Sequence, residues 1–292
     1  TGHADMIELE DGRWYMVSLG KRNDLDGDAN MGRETYLMPM QWEPTIVKWE
    51  QVSEDRWEPL RYLFPVVAPL TGKVERFTPL PYADKPQYIN NTIVDDFLDE
   101  NLDLRWTFVR VPEYKTYSLS ENPGFLRLYS KPGIIQNRKR FSLVGFRQKE
   151  SDFEFEVKMN FSPEKDKVES GIIHYQKEWN YLTNTVTKVK KKYYLEQKLK
   201  EKSKEVVTLK KTILKGYDGN IILKVKSKKD KYDFYYSLNN GSSFIYFTSM
   251  DAIKILDRNY TGALLGLYTT SNGKVTQDYA DYDWIRYRDY LR

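Results

Sequence analysis

The chain has 292 residues, 46 Lys and Arg against 42 Asp and Glu, a formal net charge of +4 and no cysteine. That length allows two domains or one large β-rich one, and the missing cysteines exclude disulfide staples and thiolate chemistry. Two histidines and no cysteine argue against a protein-built zinc site, and no run approaches the roughly 18 apolar residues of a membrane span.

The first region, residues 1–50, opens on TGHADMIELEDGRWYMVSL. Two apolar alternations flank the acidic turn Glu10-Asp11-Gly12, a pattern that predicts a β-hairpin. The polar stretch KRNDLDGDANMGRET follows, then the strand-like YLMPMQWE. The second region, 51–90, is studded with proline in WEPL, LFPVVAPL and FTPLPYADKP. Proline excludes the interior of a sheet, so this region reads as a connector. Leu63, Phe64, Val66, Val67 and Leu70 are too apolar for a free tether, which makes it a packed linker.

The third region, 91–292, is a succession of strand signals. FLRLYS, FSLVGFRQ, FEFEVKMNF, SGIIHYQ, NIILKVKS, YDFYYSL, GALLGLYTT and YDWIRYRDY are the clearest, with GYDGN, NNGS and SNGK as hairpin connectors. Alternation with period two, as in FEFEVKMNF, gives each strand one buried face. About a dozen such strands with little helix predict an all-β protein built on an antiparallel β-sandwich. One short helix is expected around SMDAIKIL.

Few residues carry chemistry on their own. The lysines of residues 188–216, interleaved with Tyr193 and Tyr194, have the form of a polyanion surface, but arginine is absent there and alternating lysine is what a solvated sheet face produces. No nucleic-acid or membrane partner is therefore expected. Asp95 and Asp96, with Asp278, Asp281 and Asp283, cluster near strand ends and form a candidate calcium site, against the alternative of turn caps and solvent-facing positions. Asp5, Glu8, Glu34 and Glu43 are carboxylates without an evident partner, and hydrolytic chemistry needs a positioned pair. Arg33, in MGRETYL, offers rigid paired donors to sugar hydroxyls or to a carboxylate; a salt bridge with Glu34 is the structural alternative. His3 and His174 have no metal-site spacing around them. Trp179 and Tyr181 are candidates for stacking on a sugar face.

Taken together, these segments resemble glycoside hydrolase family 43, in its β-xylosidase and α-L-arabinofuranosidase branch. GHADMIELEDGRWYMVSL and GRETYLMPMQWE resemble the end of that family's catalytic propeller. DDFLDENLDLRWTFVRVP and SLSENPGFLRLYS resemble the start of its accessory sandwich. FRQKESDFEFEVKMNFSP, GIIHYQKEWNYL, TGALLGLYTTSNGK and ADYDWIRYR resemble its later strands.

The resemblance implies a five-bladed β-propeller, here represented by its last blade only, followed by a concanavalin-like β-sandwich. It implies an inverting hydrolysis of xylose- or arabinose-containing oligosaccharides by three acidic residues on earlier blades, with no cofactor required for the chemistry. On this reading the chain begins inside the parent protein and lacks catalytic carboxylates. It is expected to be inactive alone, and to associate with itself or with a chain supplying the missing blades. His3 matches the family's histidine on the propeller axis, a metal or structural position, and Arg33 matches the arginine that holds the sugar. Related enzymes carry an aromatic before the glycine matching Gly171, where this sequence reads KDKVES. The alternative is a carbohydrate-binding or purely structural sandwich module. Either bacterial compartment, cytoplasm or periplasm, suits a chain without cysteine.

Overall fold

The computed structural model describes residues 2–22, 31–83, 92–112, 115–137, 141–228, 231–256 and 260–290. It divides into two compact units, one of residues 1–21 and 33–89, the other of 22–32 and 90–292.

The first unit is a four-stranded antiparallel sheet in sequential order, β1 (Gly2–Glu8), β2 (Trp14–Gly20), β3 (Glu34–Ser53) and β4 (Arg56–Val67). The expected hairpin is β1–β2. Asp11 organises its turn by accepting from the Arg13 backbone N–H and from its guanidinium, while Gly12 takes φ +79°. Strand β2 buries Tyr15, Ser18 and Gly20 in part or whole, whereas β1 is exposed from His3 to Glu8.

The segment 51–90 differs from the expected linker. Residues 56–67 are strand, and they pair with β3 from Met40↔Val67 to Ser53↔Arg56. Glu34–Met40 of β3 pairs with β2 and Met40–Ser53 with β4, so the far part of β3 and β4 forms a two-stranded ribbon. Pro44, Pro59 and Pro65 lie in that ribbon. Each is tolerated because its strand has an open side toward which the missing N–H points. The ribbon and β1 expose Met6, Ile7, Trp49, Trp57, Leu63 and Phe64.

The second unit packs two antiparallel sheets face to face. Its strands are β5 (Thr92–Asp95), β6 (Thr107–Phe108), β7 (Tyr117–Ser118), β8 (Leu126–Tyr129), β9 (Ser142–Arg147), β10 (Phe153–Asn160), β11 (Glu169–Lys177) and β12 (Asn180–Val189). They continue with β13 (Lys192–Glu201), β14 (Val207–Ile213), β15 (Asn220–Lys228), β16 (Lys231–Ser237), β17 (Ile245–Asp251), β18 (Leu264–Thr270) and β19 (Tyr279–Asp289). One sheet runs β17-β16-β15-β10-β19-β8-β7 with β5 beside β19, and the other runs β14-β13-β12-β11-β18-β9-β6. The helix expected around SMDAIKIL is a single 3₁₀ turn, Ala252–Lys254. No helix in the described residues is long and apolar enough to cross a membrane.

Alternation builds the core. Phe153, Phe155, Val157 and Met159 of β10 point inward, against Ile172, Leu182, Val186, Leu195, Leu265 and Leu267 of the facing sheet. Polar groups tie the layers together. The Tyr282 hydroxyl, on the eight-stranded sheet, contacts Ser170 Oγ (2.8 Å) and donates toward the Gly171 (3.0 Å) and Tyr268 (3.2 Å) carbonyls of the other sheet. Gly171 is required for close strand approach, because a Cβ there would lie 2.1 Å from the Asn184 carbonyl oxygen.

The division also moves residues 22–32 from the first region to the sandwich unit. Arg22 donates to Glu150 (2.7 Å), Arg147 donates to the Met31 carbonyl (2.9 Å), and Gly32 bridges to Thr261. Gly32 has φ +68°, and a Cβ on it would fall 2.3 Å from the Gly262 nitrogen. No other residue fits that approach.

Candidate functional site

The register of the first unit brings His3 and Arg33 to one end of the sheet. Gly2 pairs with Leu19 and Gly20 pairs with Glu34, so the two residues flank the same end of β2. They lie on strands two spacings apart, about 10 Å in the strand-to-strand direction. His3 sits in a β-bulge: His3 and Ala4 together oppose the single residue between Val17 and Leu19, and His3 takes φ +48°. A bulge with a left-handed non-glycine residue re-aims its side chain and is held only where the surroundings over-determine it. His3 is exposed, and Arg33 is half-buried at the entrance to β3.

The carboxylates of this unit do not form a pair. Asp5 and Glu8 are exposed along β1, Glu34 begins β3, and Glu43 lies in β3 accepting from Gln41. Among the described residues no group of three or more His, Cys, Asp or Glu could hold a metal ion.

The aspartates of the candidate calcium site are separately employed. Asp95 accepts from the Phe97 N–H (3.0 Å) and the Trp106 indole (2.7 Å), closing the turn after β5. Asp96 is exposed. Asp281 is buried and takes a two-point contact from Arg127 (2.7 and 2.8 Å) plus the Asn122 amide (2.8 Å). Asp283 pairs with Lys158 (2.8 Å), and Asp278 caps the backbone N–H groups of Glu164 and Lys165. Four of these five carboxylates thus accept from protein donors, each in a turn or ion pair of its own. The Asp281 carboxylate holds Arg127 well above its usual pKa, against the opposing effect of burial.

The two stacking candidates part company. Trp179 is 38% exposed at the β11–β12 turn, with the Lys177 ammonium 5.9 Å from its ring centroid. Tyr181 is only 4% exposed and packs among Ile135, Leu143, Ile173, Tyr175 and Tyr268. Its ring is therefore structural and unavailable to a sugar, which corrects the expectation. Burial pushes its hydroxyl pKa well above the ordinary value.

His174 is wholly enclosed by Phe153, Tyr232 and Phe234, and neither ring nitrogen has a hydrogen-bond partner among the described residues. Desolvation lowers its pKa to about 3, so it is a neutral core residue.

A polar cluster not anticipated from sequence lies on the outward face of the seven-stranded sheet. Glu169 accepts from Lys198 (2.5 Å) and from Thr185, Lys198 approaches Glu196 (3.3 Å), and Glu196 takes Lys211 (2.5 Å). Burial alone would lower the Lys198 pKa, but Glu169 and Glu196 outweigh it and raise it. Burial likewise opposes Glu196, which Lys211 and Lys198 hold below the usual carboxylate range. The only trace in the sequence is the alternation Tyr194-Glu196-Lys198, which places all three side chains on one face of β13.

The second unit is thus a β-sandwich of antiparallel strands, and the first a four-stranded antiparallel sheet with a bulge at His3. Residues 94–288 match the family described as the β-xylosidase C-terminal concanavalin A-like domain, GH43_C2, and the chain belongs to that family. It is similar to a non-reducing-end α-L-arabinofuranosidase of Bacteroides ovatus, 29% identical over 290 residues, covering 98% of this chain and 51% of that protein. A xylosidase/arabinosidase of Butyrivibrio fibrisolvens is 31% identical over 301 residues, covering 98% of this chain and 52% of that protein. Among solved structures, the Bacteroides ovatus xyloglucan PUL GH43B matches with a TM-score of 0.83 and 27% identity, over 99% of this chain and 54% of that one. The GH43 BlXynB protein of Bacillus licheniformis matches with a TM-score of 0.78 and 27% identity, over 99% and 53%. The chain thus spans about half the length of the curated relatives it matches.

Proposed function

We propose that this chain is the C-terminal part of an inverting glycosidase that releases xylose or arabinose from oligosaccharides, and that its catalytic carboxylates reside in blades outside these residues. The observation that carries the reading is the end-to-end match of the chain to about half of relatives named as arabinofuranosidase and xylosidase/arabinosidase. The exposed apolar side chains of β1 and the β3–β4 ribbon support it, since a blade with neighbours on both sides would cover such residues.

In the complete enzyme one carboxylate activates water and a second protonates the leaving oxygen, the two standing far enough apart to admit that water. Arg33 supplies two parallel N–H donors to sugar hydroxyls, which orients the ring without taking part in proton transfer. His3 lies on the propeller axis, its side chain directed by the bulge.

The test is hydrolysis of nitrophenyl β-xyloside and nitrophenyl α-L-arabinofuranoside. The 292-residue chain alone is expected to show no turnover above buffer. The same chain joined to its upstream blades is expected to turn over one or both substrates. Turnover by the chain alone would overturn the proposal.

A further inference from the structure

The outward face of the seven-stranded sheet carries a cleft of about 310 Å³, lined by Lys167, Thr187, Glu196, Lys198, Lys211 and Asn272 among others. An outer sheet face usually ends in mobile solvated side chains. Here the strands β11 and β12 are buried along most of their length on both faces. The charges of the cleft are fixed in a chain that runs Glu169, Lys198, Glu196, Lys211. The last ammonium rests 4.4 Å from the ring centroid of Tyr194, the cross-strand neighbour of Thr187. Fixed, partly buried ion pairs contribute little to stability compared with an apolar surface, whereas they do pre-orient donors and acceptors.

One wall is built to a different plan. Lys167 and Asn272 both adopt left-handed backbone conformations, at φ +68° and +50°. The Asn272 amide donates to the Lys167 carbonyl (2.8 Å), the Lys167 N–H donates to the Lys188 carbonyl (2.9 Å), and the Lys274 ammonium donates to the Asp166 carbonyl (2.8 Å). Asn272 and Gly273 (φ +87°) make the SNGK turn, and these bonds fix that turn against the Lys167 loop. The Lys167 ammonium makes no ion pair among the described residues. Lys198 and Lys211 are matched by Glu169 and Glu196, so Lys167 is the uncompensated charge of the cleft.

We propose that this cleft binds a carboxylate-bearing sugar, a single hexuronic acid unit of an oligosaccharide, with its carboxylate on Lys167 and its hydroxyls on Thr187, Asn272 and Glu196. The uncompensated ammonium selects an anionic group. Thr187 and Asn272 already donate to the Val168 (3.1 Å) and Lys167 carbonyls, so their oxygens and the Glu196 carboxylate face the cleft as acceptors for sugar hydroxyls. The volume is at the small end of ligand-sized clefts, which suits one ring better than a polymer face. The choice of a saccharide rests on the carbohydrate reading above; the choice of an acidic one rests on Lys167.

The test is titration of the full chain, by calorimetry and by amide shifts of β11–β13, with D-glucuronate, neutral xylobiose and sodium phosphate. Glucuronate is expected to bind saturably and more tightly than xylobiose, more weakly as salt rises, with shifts centred on Thr187 and Lys198. Lys167→Gln is expected to weaken glucuronate about tenfold and leave xylobiose unchanged. Thr187→Val is expected to weaken glucuronate as well, while amide spectra report whether each variant is folded. Equal affinity of Lys167→Gln and the parent chain for glucuronate would overturn the proposal, as would xylobiose binding as tightly. Phosphate matching glucuronate would identify a plain anion site and overturn the sugar assignment. Because binding is measured without hydrolysis, failure here is distinct from failure of the glycosidase reading.

Discussion

Replacing His174 by leucine tests whether an imidazole can be enclosed by aromatic rings without a partner. The unfolded chain protonates this residue near 6.5, the folded chain only near about 3. Between those values the unfolded state binds the extra proton, so acid favours unfolding. The contribution is intact above about pH 6.5 and lost progressively as pH falls toward about 3. A gap of that size corresponds to about 5 kcal/mol in full, of which about 2 kcal/mol is lost between about pH 7.5 and pH 5. Leucine has nearly the same volume and no polar atom, so it also removes two unpartnered ring nitrogens worth about 1–3 kcal/mol together. His174→Leu is therefore expected to stabilise the sandwich at neutral pH, and by about 2 kcal/mol more near pH 5. Amide exchange in β10 and β11 reads the sandwich separately from the first unit. The chain has only two histidines, so the His174 C2–H resonance is readily assigned by substitution. It should hold its position down to about pH 4.5. Parallel stability–pH curves for the two proteins, or a His174 resonance titrating near neutrality, would refute the reasoning.

Asp281→Ala strips the half-buried Arg127 of its two-point partner and should cost about 3 kcal/mol in denaturant unfolding, with a smaller loss for Asp281→Asn. Chelation by EGTA should leave the melting temperature unchanged, because Asp95, Asp281 and Asp283 are already engaged by Trp106, Arg127 and Lys158; a fall would show that calcium binds after all. Gly171→Ala should cost about 3 kcal/mol or more, since its Cβ meets the backbone of β12, and amide exchange across β11–β12 would report the separation. In the glycosidase proposed above, Arg33→Ala should lower kcat/KM by a hundredfold or more, about 3 kcal/mol, while Arg33→Lys should restore only part of it.

The sandwich was legible because its strands alternate. FEFEVKMNF reads as one buried face, and β10 buries Phe153, Phe155, Val157 and Met159 in that order. The hairpin β1–β2 was equally plain from its apolar runs and its acidic turn. Proline misled at residues 51–67, because it excludes a strand only where both edges are paired, and nothing local reveals that an edge is open. Tyr181 looked like a neighbour of Trp179, yet sequence proximity does not say that Ile135 and Leu143 cover it. The partners of the aspartates were out of reach for a related reason: that of Asp281 lies 154 residues away. Arg33 and His3 could be named only by resemblance, and pair register then placed them at one end of the sheet. The cleft drew on four strands and two turns, a combination that periodicity cannot assemble.

The prolines of the β3–β4 ribbon have a further effect. Strand β4 is the edge of its sheet, and a long edge with exposed aromatic residues is a template on which other chains can add strands. Pro59 and Pro65 stand an even number of residues apart, so both remove donors from the same outward row. An incoming strand would therefore find two donors missing from the row it needs, six residues apart. The ribbon thus keeps its length and its exposed apolar surface with a weakened edge for any strand that would add to it.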